Sequence, residues 1–180
     1  MSELRVWSDT LGDVVSATSD PAEIEEVLGA RGVRFERWAA DEALPAKADD
    51  AAVLAAYAAP VAQILAESGF ASVDVISLTP DHPMRAELRQ KFIEEHTHDE
   101  FEVRFFVSGS GQFYLRYGDE VCVVRCEAGD LISVPAHQPH WFDMGPRPDF
   151  RCVRFFTTPA GWVARHTGDD IATRCPAYEP

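Results

Sequence analysis

His96-Thr97-His98-Asp99-Glu100-Phe101-Glu102 is the stretch on which the reading of this chain turns. On an extended backbone side chains alternate between faces, so His96 and His98 share one face. Glu100 and Glu102 have the same parity. Two imidazoles and one carboxylate can therefore converge. His137 and His140 follow a segment rich in strand signals, and either could close the group from a neighbouring strand. On spacing alone the choices between Glu100 and Glu102, and between His137 and His140, stay open. A single histidine on a strand is commonly a surface or hydrogen-bonded residue. Three imidazoles with one carboxylate are a different matter, because that set suits a borderline divalent ion such as iron, nickel, cobalt, copper or zinc. Calcium and magnesium fit it poorly, since they take oxygen ligands.

From residue 96 onward the apolar period is two. Strands are expected over 101–107, 112–116, 121–126 and 131–134, then at Trp141-Phe142 and over 150–156. Glycine-rich turns are expected at 108–111, 117–120 and 128–130. Pro135 ends the fourth strand. Short strands at regular spacing with such turns predict a mainly β fold, an antiparallel sandwich or small barrel.

Before residue 96 the pattern is mixed and carries no cluster of chemical groups. Residues 4–7 read as a short strand, with a turn near 11–13. Asp20 can cap a helix whose first position is Pro21, with Gly29 and Gly32 ending it. Residues 33–38 alternate as a strand. Residues 46–68 follow a helical period, with Pro60 kinking or dividing the helix. Residues 73–78 read as a strand. A further helix over about 81–95, with Leu88 and Phe92 towards the core, delivers the chain to His96. His82 is expected near its cap, facing solvent.

With 180 residues the chain is expected to form one domain, 1–180. Within it, 1–95 is a helical N-terminal section, 96–156 a metal-binding barrel core and 157–180 a peripheral C-terminal segment, extended or disordered at its end. Thirty acidic against sixteen basic residues give a net charge of −14. That balance disfavours nucleic acid and anionic membrane surfaces as partners of the bulk surface. There is no long apolar run for a membrane span and no secretory leader, so the cytoplasm is the expected location. The four cysteines, Cys122, Cys126, Cys152 and Cys175, form no CxxC pair and are expected as buried free thiols.

Parity extends the argument to two arginines. If His96, His98 and Glu102 face inward, so does Arg104. An inward guanidinium needs an anion: either a substrate oxyanion, or a salt bridge to Glu95, Glu100 or another acid. In 150–156 the face with Phe150, Cys152 and Phe156 also carries Arg154. Glu100 could be a ligand, an acceptor behind a ligand, or a base.

At this point a resemblance can be stated. Gly129-Asp130-Leu131-Ile132-Ser133-Val134-Pro135-Ala136-His137-Gln138-Pro139-His140 resembles the second motif of the cupins. Residues 96–102, with Gly109, resemble the first. Gln90 and His137 stand where glycine is common, and Met144 where asparagine is. Over nearly the whole chain the resemblance is to the acireductone dioxygenase family. It implies a cupin-type antiparallel β-barrel of the double-stranded β-helix or jelly-roll kind, with N-terminal and peripheral helices. It implies His96, His98, Glu102 and His140 as ligands of one Fe²⁺ or Ni²⁺ per chain. It places Arg104 and Arg154 beside substrate and has Phe92, Phe142 and Trp162 shape the pocket. Glu100, set aside as a ligand, stays a candidate catalytic group from its position alone. The implied reaction is O₂-dependent cleavage of acireductone in methionine salvage, by a cytoplasmic enzyme expected to be a monomer. With iron the products are formate and 2-keto-4-methylthiobutyrate. With nickel they are formate, carbon monoxide and 3-(methylthio)propionate. The alternatives are another cupin dioxygenase or isomerase, or a cupin that only binds.

Overall fold

The computed structural model describes residues 1–8, 12–40, 44–45, 48–67, 69–158 and 162–180. The elements in order are β1 (Glu3–Ser8), β2 (Val14–Thr18), α1 (Pro21–Gly29), β3 (Arg34–Arg37), α2 (Asp50–Ala56), α3 (Ala58–Ala66), β4 (Ser72–Leu78) and α4 (Arg85–Phe92). They continue with β5 (His96–Thr97), β6 (Glu102–Tyr117), β7 (Glu120–Glu127), β8 (Asp130–Val134), β9 (His140–Asp143), β10 (Phe150–Phe156), β11 (Arg165–His166) and α5 (Ile171–Arg174).

All recorded strand pairings are antiparallel, and they join around β6. Its first part pairs with β8 and β10, and its second with β7 and β9. Beyond these lie β3 on β8, β4 on β10, and β1 then β2 on β7. The two halves enclose one core. Val6, Phe113, Leu115, Val124 and Phe142 from one half meet Phe106, Ile132, Val134, Phe150 and Cys152 from the other. The fold is the mainly β, cupin-type architecture implied by the resemblance, although hydrogen bonding leaves the sheet unclosed.

One expected turn is corrected. Residues 108–111 do not separate two strands, because β6 runs through them. Gly109 has φ of +71°, a region costly for side-chain-bearing residues. A Cβ there would lie 1.8 Å from the Asp149 carbonyl oxygen. The glycine-rich stretch is therefore a corner at which one strand leaves one half of the sheet for the other. The turn expected over 117–120 does form, but it is confined to Gly118 and Asp119, with Tyr117 and Glu120 already in strands.

The N-terminal section covers the outer side of the β8–β6–β10 half. Val53, Tyr57, Val61 and Ile64 of the helical segment pack with Phe105, Leu131, Val153 and Phe155. As a result β10 is apolar on both faces: Phe150 and Cys152 point into the core, Val153 and Phe155 towards the helices. The helical stretch expected over 46–68 is divided at Tyr57, with Pro60 in the first turn of α3 where a missing N–H costs little. Residues 46, 47 and 68 of that expectation, and residue 11 of the expected first turn, lie outside the described residues. Asp20 caps α1 as its sequence implies, accepting from the Ala22 and Glu23 amides. The segment at 81–95 is helical only from Arg85 to Phe92, with Leu88 and Phe92 against the core.

The hairpin partner β2 was not legible in the sequence. Val14 and Val15 are exposed, so no buried face marks the strand. The C-terminal residues carry more packing than their weak periodicity suggests. Ile171, Cys175 and Tyr178 are buried, and the Tyr178 amide donates to Asp143. All four cysteines are free and buried.

Candidate metal centre

His96, His98, Glu102 and His140 are all buried, and their candidate ligand atoms lie within 4.8 Å of one another. Three elements deliver them. β5 supplies His96, which pairs directly with His140 at the start of β9. Glu102 opens β6. His98 sits between β5 and β6, where the chain bends at Asp99 and Glu100. The segment is thus not one continuous strand as the parity argument assumed. The convergence survives because the bend falls between the second and third donors.

Each imidazole is held from behind. His96 Nδ1 is 2.6 Å from the Glu94 carbonyl oxygen, His98 Nδ1 is 3.1 Å from that of Val163, and His140 Nδ1 is 2.7 Å from that of Gln138. A carbonyl can only accept, so each Nδ1 carries the proton and donates. That leaves each neutral ring with an unprotonated Nε2, the form a metal ion requires.

The charges fit this picture at His96 and Glu102, while His98 is pulled the other way by its carboxylate neighbour. Burial, followed by the neighbouring His140, pulls the His96 imidazole down to about 4. Burial also opposes charge on His98, but the hydrogen bond and charge of Glu102 outweigh it and raise that ring. For Glu102 burial is outweighed by Arg104, His140 and His98, which hold the carboxyl well below its ordinary range. Its Oε2 lies 3.0 Å from His98 Nε2 and 3.2 Å from His140 Nε2. Three imidazole nitrogens and one carboxylate oxygen are a donor set that fits a divalent transition ion.

The group opens into a cavity of about 680 Å³ whose wall includes Phe92, Arg104, Phe142, Arg154 and Trp162. All five of the pocket residues expected from the sequence are therefore brought together. The two arginines differ. Arg104 is 2% exposed, and its Nε donates to Glu102 Oε1 at 2.8 Å. Its anionic partner is thus the candidate ligand itself. Arg154 is paired with Asp74 on β4. Asp74 was missed, although a lone carboxylate between Val73 and Val75 in an apolar strand was a signal. Trp162 donates its indole N–H to the Phe101 carbonyl and packs on Phe156 at 4.7 Å.

The remaining alternatives separate. Glu100 is absent from the donor group and from the cavity wall. Its carboxylate accepts from the amides and hydroxyls of Thr157 and Thr158. The His137 side chain is 72% exposed, beside Asp99. His82 is half-buried, its Nδ1 accepting from the Met84 amide ahead of α4.

Comparison with known proteins follows the same lines. Residues 8–164 match the model of the ARD/ARD' family. An acireductone dioxygenase of Aquifex aeolicus is 50% identical over 179 residues, 99% of this chain and 97% of the relative. One from Parvibaculum lavamentivorans is 55% identical over 180 residues, 99% and 98% of the two chains. Among solved structures, acireductone dioxygenase from Bacillus anthracis with a cadmium ion in its active centre is similar with a TM-score of 0.82. It is 31% identical, with 92% of this chain and 98% of that one covered.

Proposed function

The chain belongs to the ARD/ARD' family of acireductone dioxygenases, and on that premise we propose that it cleaves acireductone with O₂ in methionine salvage, using Fe²⁺ or Ni²⁺ held by His96, His98, Glu102 and His140. The observation that carries the proposal is the tautomer lock. Three buried imidazoles are each fixed from Nδ1 with Nε2 turned to one point beside a carboxylate. A hydrogen-bonded core would not need three parallel locks. When bound, the ion supplies Lewis acidity and a template for an electron-rich enediol and O₂.

The chain's own residues do the rest. Arg154 offers the N–H groups not spent on Asp74 to an oxygen of the anionic substrate. Phe92, Phe142 and Trp162 line the cavity with apolar surface, which limits water around the reacting carbons. Glu100 is assigned to holding Thr157 and Thr158, on the segment that leads to Trp162, and not to proton transfer. All four donors come from one chain, so each chain can form its own site, and action as a monomer is part of the proposal. Light scattering tests that assignment, and cell fractionation tests a cytoplasmic location.

The deciding experiment loads the purified chain with Fe²⁺ and with Ni²⁺ and supplies acireductone under air and under argon. O₂-dependent loss of acireductone that tracks bound metal is expected. No such turnover by a fully loaded protein would remove the assignment.

A further inference from the structure

Arg104 is a charged side chain at 2% exposure. Its guanidinium lies over the Phe142 ring at 4.4 Å, with Phe113 and Trp162 at 5.4 Å and Phe92 at 5.9 Å. These contacts fix it by cation–π attraction and by packing. Nη1 has no hydrogen-bond partner, whereas Nε donates to Glu102 Oε1 at 2.8 Å. The two oxygens of Glu102 thus have separate surroundings. Oε1 faces a clamped guanidinium, and Oε2 faces the Nε2 atoms of His98 and His140.

A carboxylate can grip a cation with one oxygen or with two. A charge-assisted hydrogen bond from a donor that cannot move away occupies one of them. We propose that Arg104 is a positioning residue that restricts Glu102 to a single metal-facing oxygen, Oε2. Three nitrogens and one oxygen would then hold the ion, and a six-coordinate ion would keep two places for a ligand with two oxygens. In a two-oxygen grip Glu102 would take one of those places. This inference rests on the metal-binding part of the proposed function and not on the identity of the substrate.

The test uses the full chain loaded with Co²⁺, whose visible absorption reports its coordination number. Wild type, Arg104→Lys and Arg104→Gln are challenged with excess chelator, with folding checked by circular dichroism. Lysine keeps the charge but loses the fork, and glutamine keeps a neutral donor. Both variants are expected to release cobalt roughly tenfold faster or more, in line with the weight of groups that orient metal ligands. Their cobalt bands are expected to change. Release at the wild-type rate with unchanged bands, together with a raised KM for acireductone, would make Arg104 a substrate contact and overturn the proposal. Should neither variant fold, crystals of the Ni²⁺-loaded wild-type chain decide. Contact through Oε2 alone, with Oε1 on Arg104, supports the proposal, and a two-oxygen grip defeats it. Altered release without any acireductone turnover would leave this inference standing while the proposed function fell.

Discussion

Arg154 and Asp74 are joined by two parallel hydrogen bonds across β10 and β4, Nε to Oδ1 at 2.8 Å and Nη2 to Oδ2 at 2.7 Å. In the strand register Asp74, Arg154 and Arg104 form one row, so the second arginine of the pocket is directed from the outer strand. The ring of Trp162 lies 5.6 Å from this guanidinium and that of Phe156 5.3 Å.

The pair gives a first prediction. Asp74→Asn should loosen Arg154 and raise KM for acireductone with metal content unchanged. Asp74 is 45% exposed, so the effect should be modest, up to about fivefold, as for other partly exposed pairs. Arg154→Ala should cost more, since it removes the donor itself, roughly tenfold or beyond. If Asp74 acts through Arg154, the double variant should be no worse than Arg154→Ala. Steady-state kinetics on the four proteins gives the answer, and strictly additive effects would separate the two residues.

Histidine replacements give a second prediction. His98→Ala should lower metal affinity on the order of 100-fold, because it deletes a donor and leaves Glu102 without one of its neighbours. His140→Ala should behave alike. His137→Ala should keep its metal, since that side chain is largely in solvent, and its stability should stay within about 0.5 kcal/mol of wild type. Metal analysis after dialysis distinguishes them. Equal loss in the variants at 137 and 140 would contradict the donor set.

A third prediction concerns the corner of β6. Gly109→Ala should cost about 3 kcal/mol or more, because both φ and the Asp149 carbonyl forbid a Cβ. Gly118→Ala should cost only about 1 kcal/mol, since its φ of +56° is unfavourable but nothing lies within 4 Å of the new atom. Urea unfolding of both proteins checks the difference. Similar losses would mean that the close approach at Gly109 relaxes.

These cases show what could be read from residues alone. The kinds of donor were legible because metal chemistry demands particular side chains, and alternation kept His96 and His98 on one face, while the choice of Glu102 and His140 came from the resemblance. Their separation from Glu100 was not legible, because it depends on the bend at Asp99 and on two threonines 57 and 58 residues away. Alternation put Arg104 inward but could not name its partner, which is two residues away on the same strand. Gly109 was read as punctuation, which is correct for local geometry and wrong for topology. Only the carbonyl at Asp149 distinguishes a corner from a turn. β2 escaped because an exposed edge strand has no apolar periodicity to betray it.

Asp143 gives a fourth prediction. It is 1% exposed and accepts from Arg89 on α4 and from the amides of Gly145 and Tyr178, tying the C-terminal residues to the pocket helix. Burial works against its charge, but Arg89 and the two amides outweigh it and hold the carboxyl below its ordinary value of 3.8. A carboxyl lowered in the folded state binds fewer protons than in the unfolded chain. Its stabilisation is therefore complete above the unfolded value and fades as pH falls through the folded one. Asp143→Asn should lose about 2 kcal/mol at neutral pH, and the deficit should shrink below about pH 4. A constant deficit across an acid titration of urea midpoints would show that the charge is not what matters.

The last prediction concerns what selects the products. The donor set of His96, His98, Glu102 and His140 suits a divalent transition ion, and bare affinity in such a set favours nickel over iron along the divalent series. Cellular supply can reverse that order. By family resemblance, the iron form should give formate and the 2-keto acid, and the nickel form formate, carbon monoxide and the shorter acid. Each outcome accounts for every atom of acireductone and O₂, so neither needs a further reactant. On this prediction the choice lies with the ion and not with the pocket. One apo preparation, divided and reloaded with each metal, should therefore release carbon monoxide only from the nickel half. Arg154→Lys should slow both halves and leave the identity of their products unchanged, because it alters how substrate is held and not which ion holds it. Headspace gas analysis with chromatography of the acids reads both results. Carbon monoxide from the iron half, or one product mixture from two fully loaded halves, would return the choice to the protein.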